Sequence, residues 1–306
     1  MKNTDFEVII IGGSFSGLSA ALTLGRMLKK VLIIDYAQPC NQNARISQNF
    51  LTHDGESPTA IADIARTKLL HYSTVKLLYD LAVYGEKLKD GFTVNTLSGR
   101  TFTANKLIYA TGIKDQLPPI DGFSSCWGIS VIHCPYCHGY EYRDKQTAIM
   151  AKGEPAINMT AIIKNLTEHI IILTNGPADF DEKQLNILKK NNVRIIETTV
   201  EQMIHKDGQL QAVRFTDDTQ IKVDVLYHSP TCVQHPEMVG CFGLELTDNG
   251  LIKVDHSQQT TVPGIYACGD SCTAMRTISQ AVFTGNMAAA MANKELTDEY
   301  FFISNK

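Results

Sequence analysis

The stretch Cys134-Pro135-Tyr136-Cys137-His138 sets two thiols two residues apart, with an imidazole beside the second. Such a pair can close a small, readily reduced disulfide. Its chemistry depends on a thiolate, which helix N-termini and nearby histidines make accessible. Histidine has an unperturbed pKa near neutrality, so His138 can both take and return a proton. Three blander readings compete. The letters C-x-x-C-H match a c-type haem attachment site. That chemistry needs export, and Met1 to Glu7 is expected to run straight into a strand with no leader. Tetrahedral zinc needs four ligands, and the other close pair, Cys268 and Cys272, lies in a segment that reads better as something else. Two buried structural cysteines are the third option, but Pro135 and Gly139 mark a turn rather than a packed core. The redox reading leads, with His138 as the proton-handling group and its neighbour His133 as structural.

The chain has 306 residues, enough for two domains or one large one. Hydrophobic residues make up 44% and charged residues 20%, an ordinary balance for a soluble globular chain. A net charge of −4 argues against bulk nucleic-acid binding, which wants a strongly basic face. No apolar run reaches bilayer-spanning length, so no membrane partner is expected. Eight cysteines are too few for a disulfide-stapled scaffold. A cytoplasmic location is the expectation, and there a cysteine pair is more often catalytic than structural.

The elements that must position the pair begin with Glu7 to Ile11, an apolar run suited to a buried parallel strand. Gly12-Gly13-Ser14-Phe15-Ser16-Gly17 follows, then a helix of small residues from Leu18 to Arg26. A second strand, Val31 to Ile34, ends at Asp35. This is a dinucleotide fingerprint in its proper βαβ context. The turn seats a pyrophosphate at the helix N-terminus, and the terminal acid accepts from ribose hydroxyls. One position departs, because Ser14 replaces the glycine that normally permits close backbone approach. Further on, 92–97 and 101–104 read as a hairpin around Ser98-Gly99. Residues 106–110 read as another strand ending at Thr111-Gly112, and 117–122 as a proline-rich linker.

A second βαβ follows, with a strand at 146–150, a turn at 151–156, a helix from Ile157 to Leu166 and a strand at 170–173. One unit thus recurs about 140 residues on, which suggests two dinucleotide-type domains. The last third returns to the first domain. It has a strand at 250–255, a turn and strand ending at Cys268-Gly269-Asp270, and a small-residue helix from Ser279 to Asn293. Asp270 falls where a strand end meets a crevice, a common ligand position. The alternative for Asp270 is a helix N-cap.

Together these residues resemble the low-molecular-weight thioredoxin reductase family of flavoproteins. The matching pieces are Gly12 to Gly17, Ala110-Thr111-Gly112, the Cys134–Cys137 pair, the A-x-G-x-x-A turn at 151–156, His228-Ser229-Pro230, and Thr261-Val262-Pro263-Gly264 through Gly269-Asp270. The resemblance implies an α/β fold of two Rossmann-like, three-layer domains, the second inserted in the first. The FAD domain would be 1–115 with 246–306, and the pyridine-nucleotide-type domain carrying the pair 116–245. It implies FAD contacts from Gly12, Ser14, Phe15, Ser16, Gly17, Asp35, Asn49, Thr111, Gly112, Gly269, Asp270, Gln280 and Ala281. It also implies a homodimer, with Cys137 facing the flavin and Cys134 exchanging with the external partner.

Within that family the details look closer to the dithiol oxidases that close disulfides in gliotoxin and holomycin biosynthesis. Those resemble this chain in C-x-x-C-H-G-[aromatic]-E, here Cys134 to Glu141, and in a loop like Asn49 to Gly55. Ordinary thioredoxin reductases have aspartate where this chain has His138. An NADPH enzyme also needs cations after the second strand of its nucleotide domain, to bind the 2′-phosphate. Leu173 to Asp179 contains no Arg or Lys, Asn175 is neutral, and Ala151 replaces the first glycine of the turn. NADPH therefore has no evident anchor. The leading expectation is an FAD-dependent dithiol–disulfide oxidoreductase acting on a small dithiol or disulfide, or on a thioredoxin-like protein. The runner-up is an NADPH- or ferredoxin-dependent thioredoxin reductase. A non-catalytic flavin-binding redox sensor is the alternative of another class.

Overall fold

Runs of Val, Ile and Leu that are buried on both faces build parallel strands, and the helices between them cover those faces. The computed structural model describes residues 4–303 and divides into two units. The first takes in Met1–Gln42, Pro58–Lys114 and Cys232–Lys306, and the second Asn43–Ser57 and Asp115–Thr231.

In the first unit Phe6–Ile11 pairs in parallel with Val31–Asp35 on one side and Thr101–Tyr109 on the other. The sheet runs Val75–Tyr79, Val31–Asp35, Phe6–Ile11, Thr101–Tyr109, Gly91–Thr96, Ala82–Leu88, and Ile265–Ala267 also joins Thr101–Tyr109 in parallel. The period of two sorts the central strand between two cores. Val8 and Ile10 face Leu18, Leu24, Ala62 and Ala289 of the helices Phe15–Arg26, Pro58–Leu69 and Ile278–Asp298. Ile9 and Ile11 face Phe92, Val94, Met238 and Leu244 on the opposite side.

The second unit has an all-parallel sheet in the order Arg194–Ile196, Ile170–Leu173, Thr147–Met150, Val225–Tyr227, Val131–Ile132. One face packs on Met203, Val213 and Phe215 from an antiparallel meander. The other packs on Ala156 and Ile163 of the helix Gly153–Ile163 and on Leu188 of Glu182–Lys190. The fold is the mixed α/β, Rossmann-like arrangement the sequence implies.

Several boundaries differ from the sequence expectation. Residues 101–104 and 106–110 are parts of one strand, Thr101–Tyr109, whose first half serves the hairpin and whose second half serves the parallel sheet. No strand forms at 250–255, where Ile252 and Val254 make only isolated bridges. There the Asp255 carboxylate accepts from the backbone N–H of Ser257 and Gln259, turning the chain away from a ladder. The helix expected at Ile157–Leu166 begins earlier, at Gly153, and ends at Ile163. Residues 43–57 group with the second unit, where Gln48 Nε2 donates to Glu141 and Arg45 Nη2 to the Asp207 carbonyl. Residues 232–245 group with the first, where Tyr109 donates to the Met238 carbonyl and Gln234 to those of Gly250 and Ser271.

The C-terminal helix also runs past Asn293 to Asp298. Its end is tied to the sheet by Lys106, a buried lysine whose Nζ lies 2.8 Å from Glu295 and 2.6 Å from Glu299. Glu295 in turn accepts from the Tyr266 hydroxyl. Removing the cation would leave two like charges facing an apolar wall. Because both carboxylates are partly solvated, Lys106→Ala is expected to lower unfolding stability by about 2 kcal/mol rather than the larger cost of a fully buried pair. Urea denaturation would measure it, and an unchanged midpoint would show that the network contributes nothing.

Candidate functional site

The redox pair sits just past the strand Val131–Ile132. Pro135–His138 forms a single helical turn with proline at its start, where a missing N–H costs nothing. Cys134 is its N-cap and is joined to Cys137 by a disulfide with a Cα–Cα separation of 5.3 Å. The Cys134 Sγ accepts from the Cys137 N–H at 3.1 Å. In the reduced pair the same N–H would support a thiolate on Cys134. Both cysteines and His138 are half-buried. Burial lowers the His138 pKa, and the Glu141 carboxylate opposes that only in part. Burial therefore favours the neutral imidazole, the form that can act as a base. Glu141 is held in turn by Gln48 Nε2 at 3.1 Å. His133 lies against the Trp127 ring, 6.0 Å between centroids.

The glycine turn in the first unit shows why its residue types are needed. Gly12 has φ +107°, and a Cβ there would lie 2.2 Å from the Ala110 carbonyl oxygen. A Cβ on Gly17 would lie 1.9 Å from that of Gly12. Ser14 is different. Its backbone is extended, with φ −88°, so the serine that departs from the fingerprint meets no backbone penalty. It is the N-cap of Phe15–Arg26 but its side chain does not cap, leaving the first-turn N–H groups of the helix open to an anion.

The parallel register brings Gly12, Ser14, Phe15, Ser16, Gly17, Asp35, Thr111, Gly112, Gly269 and Asp270 to the C-terminal edge of one sheet. Asp35 is 8% exposed, and its Oδ2 has no hydrogen-bond partner among the described residues. The buried Thr111 hydroxyl has none either. The Gly269 N–H is bound to Thr284 Oγ1, and the Asp270 carboxylate lies 3.4 Å from Arg276 Nε. Asp270 is therefore not a cap for the C-terminal helix; that role falls to Thr277, whose hydroxyl accepts from Gln280 N–H. Ala281 is buried beside it in the first turns of that helix. Asn49 is not among these residues. It lies in the 43–57 segment of the second unit with φ +59°, its N–H bound to Asp54. Orphaned buried oxygens, an open helix terminus and glycines with no room for a side chain together fit a dinucleotide such as FAD.

The corresponding turn in the second unit is built differently. A Cβ on Gly153 would lie 3.4 Å from a carboxylate oxygen of Asp179, so a negative charge already stands at the turn that would cradle a pyrophosphate. One residue was missed by reading only the segment after the second strand. Lys152, inside the A-x-G-x-x-A turn, brings its Nζ to 3.6 Å from a Cβ built on Gly176. The signal for it was a lone cation between Ala151 and Gly153.

Residues 6–285 match the family described as pyridine nucleotide-disulphide oxidoreductase. The chain is 30% identical over 297 residues to thioredoxin reductase aclD of Aspergillus oryzae, covering 93% of this chain and 94% of that one. An oxidoreductase structure from Agrobacterium tumefaciens superposes with a TM-score of 0.89 at 34% identity, covering 95% of this chain and 98% of the other. A thioredoxin reductase TrxB structure from Bacillus anthracis, described as putative, superposes at 0.92 with 27% identity over 97% and 100%.

The glycine turn yields a direct test. Gly17→Ala pushes a methyl group into the Gly12 carbonyl, so either the helix or the strand end must move. The purified variant is expected to hold less than about a tenth of the flavin of the parent, a loss in affinity of a tenfold or more. The ratio of flavin to protein absorbance checks this.

Proposed function

Because the chain belongs to the pyridine nucleotide-disulphide oxidoreductase family and is a thioredoxin reductase-like flavin-dependent oxidoreductase, we propose that it oxidises a small dithiol to a disulfide through Cys134 and Cys137. In this reading it acts as a homodimer and has no working NADPH site. The observation that carries it is the half-buried disulfide whose Cys134 sulfur is held by the Cys137 N–H beside a neutral imidazole.

The chemistry assigned to the chain's own residues is thiol–disulfide exchange. His138 takes the proton of a substrate thiol. The thiolate attacks Cys134 Sγ, a substrate–Cys134 bond forms, and Cys137 leaves as a thiolate. His138 releases the first proton to solvent and takes that of the second substrate thiol, which attacks the substrate sulfur of the mixed disulfide. Cys134 then leaves as a thiolate stabilised by the Cys137 N–H. The substrate has lost two electrons and two protons, and the cysteine pair holds the electrons. FAD, when bound, supplies a two-electron acceptor for the reduced pair, with molecular oxygen or another acceptor taking the electrons on. Residues proposed to hold it are Gly12, Ser14 to Gly17, Asp35, Asn49, Thr111, Gly112, Gly269, Asp270, Gln280 and Ala281.

A second reading is an NADPH-dependent reductase acting on thioredoxin or a similar disulfide. Lys152 beside Gly176 favours it, because one cation does stand near the end of the second strand. Against it, Asp179 puts a like charge at the pyrophosphate turn. A 2′-phosphate normally draws more than one charge-assisted contact.

Anaerobic mixing separates the two. A small dithiol is expected to bleach the flavin, and micromolar NADPH is expected not to do so within a turnover. Rapid bleaching by NADPH and none by the dithiol would make the protein a conventional reductase.

His138 gives the pH prediction. Burial depresses its pKa below the ordinary value of about 6.5, which shifts the balance at pH 7 further toward the base form. Activity should therefore fall only at pH values below the usual histidine range. His138→Ala is expected to slow dithiol turnover about 10²-fold near neutrality, with the loss shrinking above about pH 8.5 as the substrate thiol ionises unaided. A pH–rate profile unchanged by the substitution would leave His138 a structural residue.

A further inference from the structure

Arg66 is a residue that neither the glycine fingerprint nor the family resemblance singles out. It lies on Pro58–Leu69 with its Nη1 2.9 Å from Asp63 and its Nη2 4.0 Å from Asp35 Oδ2. A separation of 4.0 Å is too long for a hydrogen bond. The Arg66 Nε is buried and has no hydrogen-bond partner among the described residues. The Asp35 Oδ2, which the Arg66 Nη2 approaches, is also buried without a partner among the described residues, although the other Asp35 oxygen accepts from the Ala37 N–H at 3.2 Å. Asp35 also touches the glycine turn itself, since a Cβ on Gly13 would lie 2.7 Å from its Cγ.

The guanidinium holds a buried, unsatisfied Nε, and its Nη2 stands 4.0 Å from the buried, unsatisfied Asp35 Oδ2; both orphaned atoms carry a cost unless a third polar group completes them. The group must accept from a guanidinium N–H and donate to a carboxylate. A hydroxyl does both, whereas a phosphate oxygen cannot donate to Asp35. A sugar diol presented from the pyrophosphate turn meets the requirement, and the contact between Gly13 and Asp35 keeps the site within reach of that turn.

We propose that Arg66 and Asp35 form a two-sided clamp on the adenosine ribose of FAD, with Arg66 donating to the hydroxyl that donates to Asp35 Oδ2. The inference rests on the reading that FAD occupies the first unit. It adds to that reading the residue that selects the adenylated flavin over FMN. Asp63 is the positioning residue, holding the guanidinium by its far nitrogen.

The test is reconstitution of flavin-stripped protein, followed by quenching of flavin fluorescence. The probes are FAD, FMN, and an FAD analogue whose adenosine lacks both ribose hydroxyls. Arg66→Ala should weaken FAD binding about tenfold and leave FMN binding and the melting temperature of the stripped protein unchanged. With the analogue, parent and variant should bind alike, because the group that Arg66 meets is gone. Arg66→Lys should recover only part of the loss, since an ammonium lacks the rigid fork. Equal FAD affinity in parent and Arg66→Ala would overturn the clamp, as would a loss that persists with the analogue. Failure of the parent itself to bind FAD would instead overturn the flavin reading on which the clamp rests.

Discussion

The first unit hangs on one close approach, the backbone of Ser16 against Gly285. A Cβ at Gly285 would lie 2.1 Å from the Ser16 carbonyl oxygen, so the helices Phe15–Arg26 and Ile278–Asp298 meet with no side chain between them. The Ser19 hydroxyl donates to the Val282 carbonyl and Asn286 to Thr23 along the same seam. Dispersion between backbones at this range, and not propensity, fixes the crossing. The consequence reaches the site. The turn Gly12 to Gly17 can present its open N–H groups only if the helix behind it stays in place, and the C-terminal helix is what keeps it there. Lys106 secures the far end of that helix, so a buried ion cluster and a glycine contact act on opposite ends of one lever.

Two turns of the same type show how one motif can carry opposite electrostatics. In the first unit a buried acid stands at the end of the second strand, with an orphaned oxygen, while the helix terminus is left open. In the second unit the terminus is faced by Asp179, and the nearby cation Lys152 comes from the turn itself. The helix dipole favours a negative charge at that position, and Asp179 supplies one from within the chain. A ligand phosphate would have to displace it.

Where a signal lay in local residue types, it was readable. Gly12 and Gly17 are legible as glycines because a left-handed backbone at Gly12 and the close approach of the Gly12 carbonyl at Gly17 leave no room for a side chain, and Asp35 because it ends the second strand. The Cys134–Cys137 disulfide was legible through spacing alone, and proline at 135 marked the helical turn. Reading failed where a role depends on partners far away in sequence. Nothing local shows that the 43–57 segment groups with the second unit, since Gln48 meets Glu141 across 93 positions. Residues 250–255 alternate like a strand, but the Asp255 side chain captures the backbone amides a ladder would need. Arg66 was invisible for the same reason, because a mid-helix arginine reads as solvated surface until the fold sets Asp35 opposite it.

The division of the chain between the units also sets an order of assembly. During synthesis the second unit is fully available once Thr231 has emerged, while the first still lacks Ile265–Ala267 and the helix Ile278–Asp298. Until that helix arrives, Val8, Ile10, Leu18 and Leu24 have part of their apolar covering missing. The inserted unit is therefore complete before the sheet begun at Phe6 receives the strand Ile265–Ala267 and the helix Ile278–Asp298 that cover it, so burial of that sheet's apolar face waits on the segment that follows the insertion.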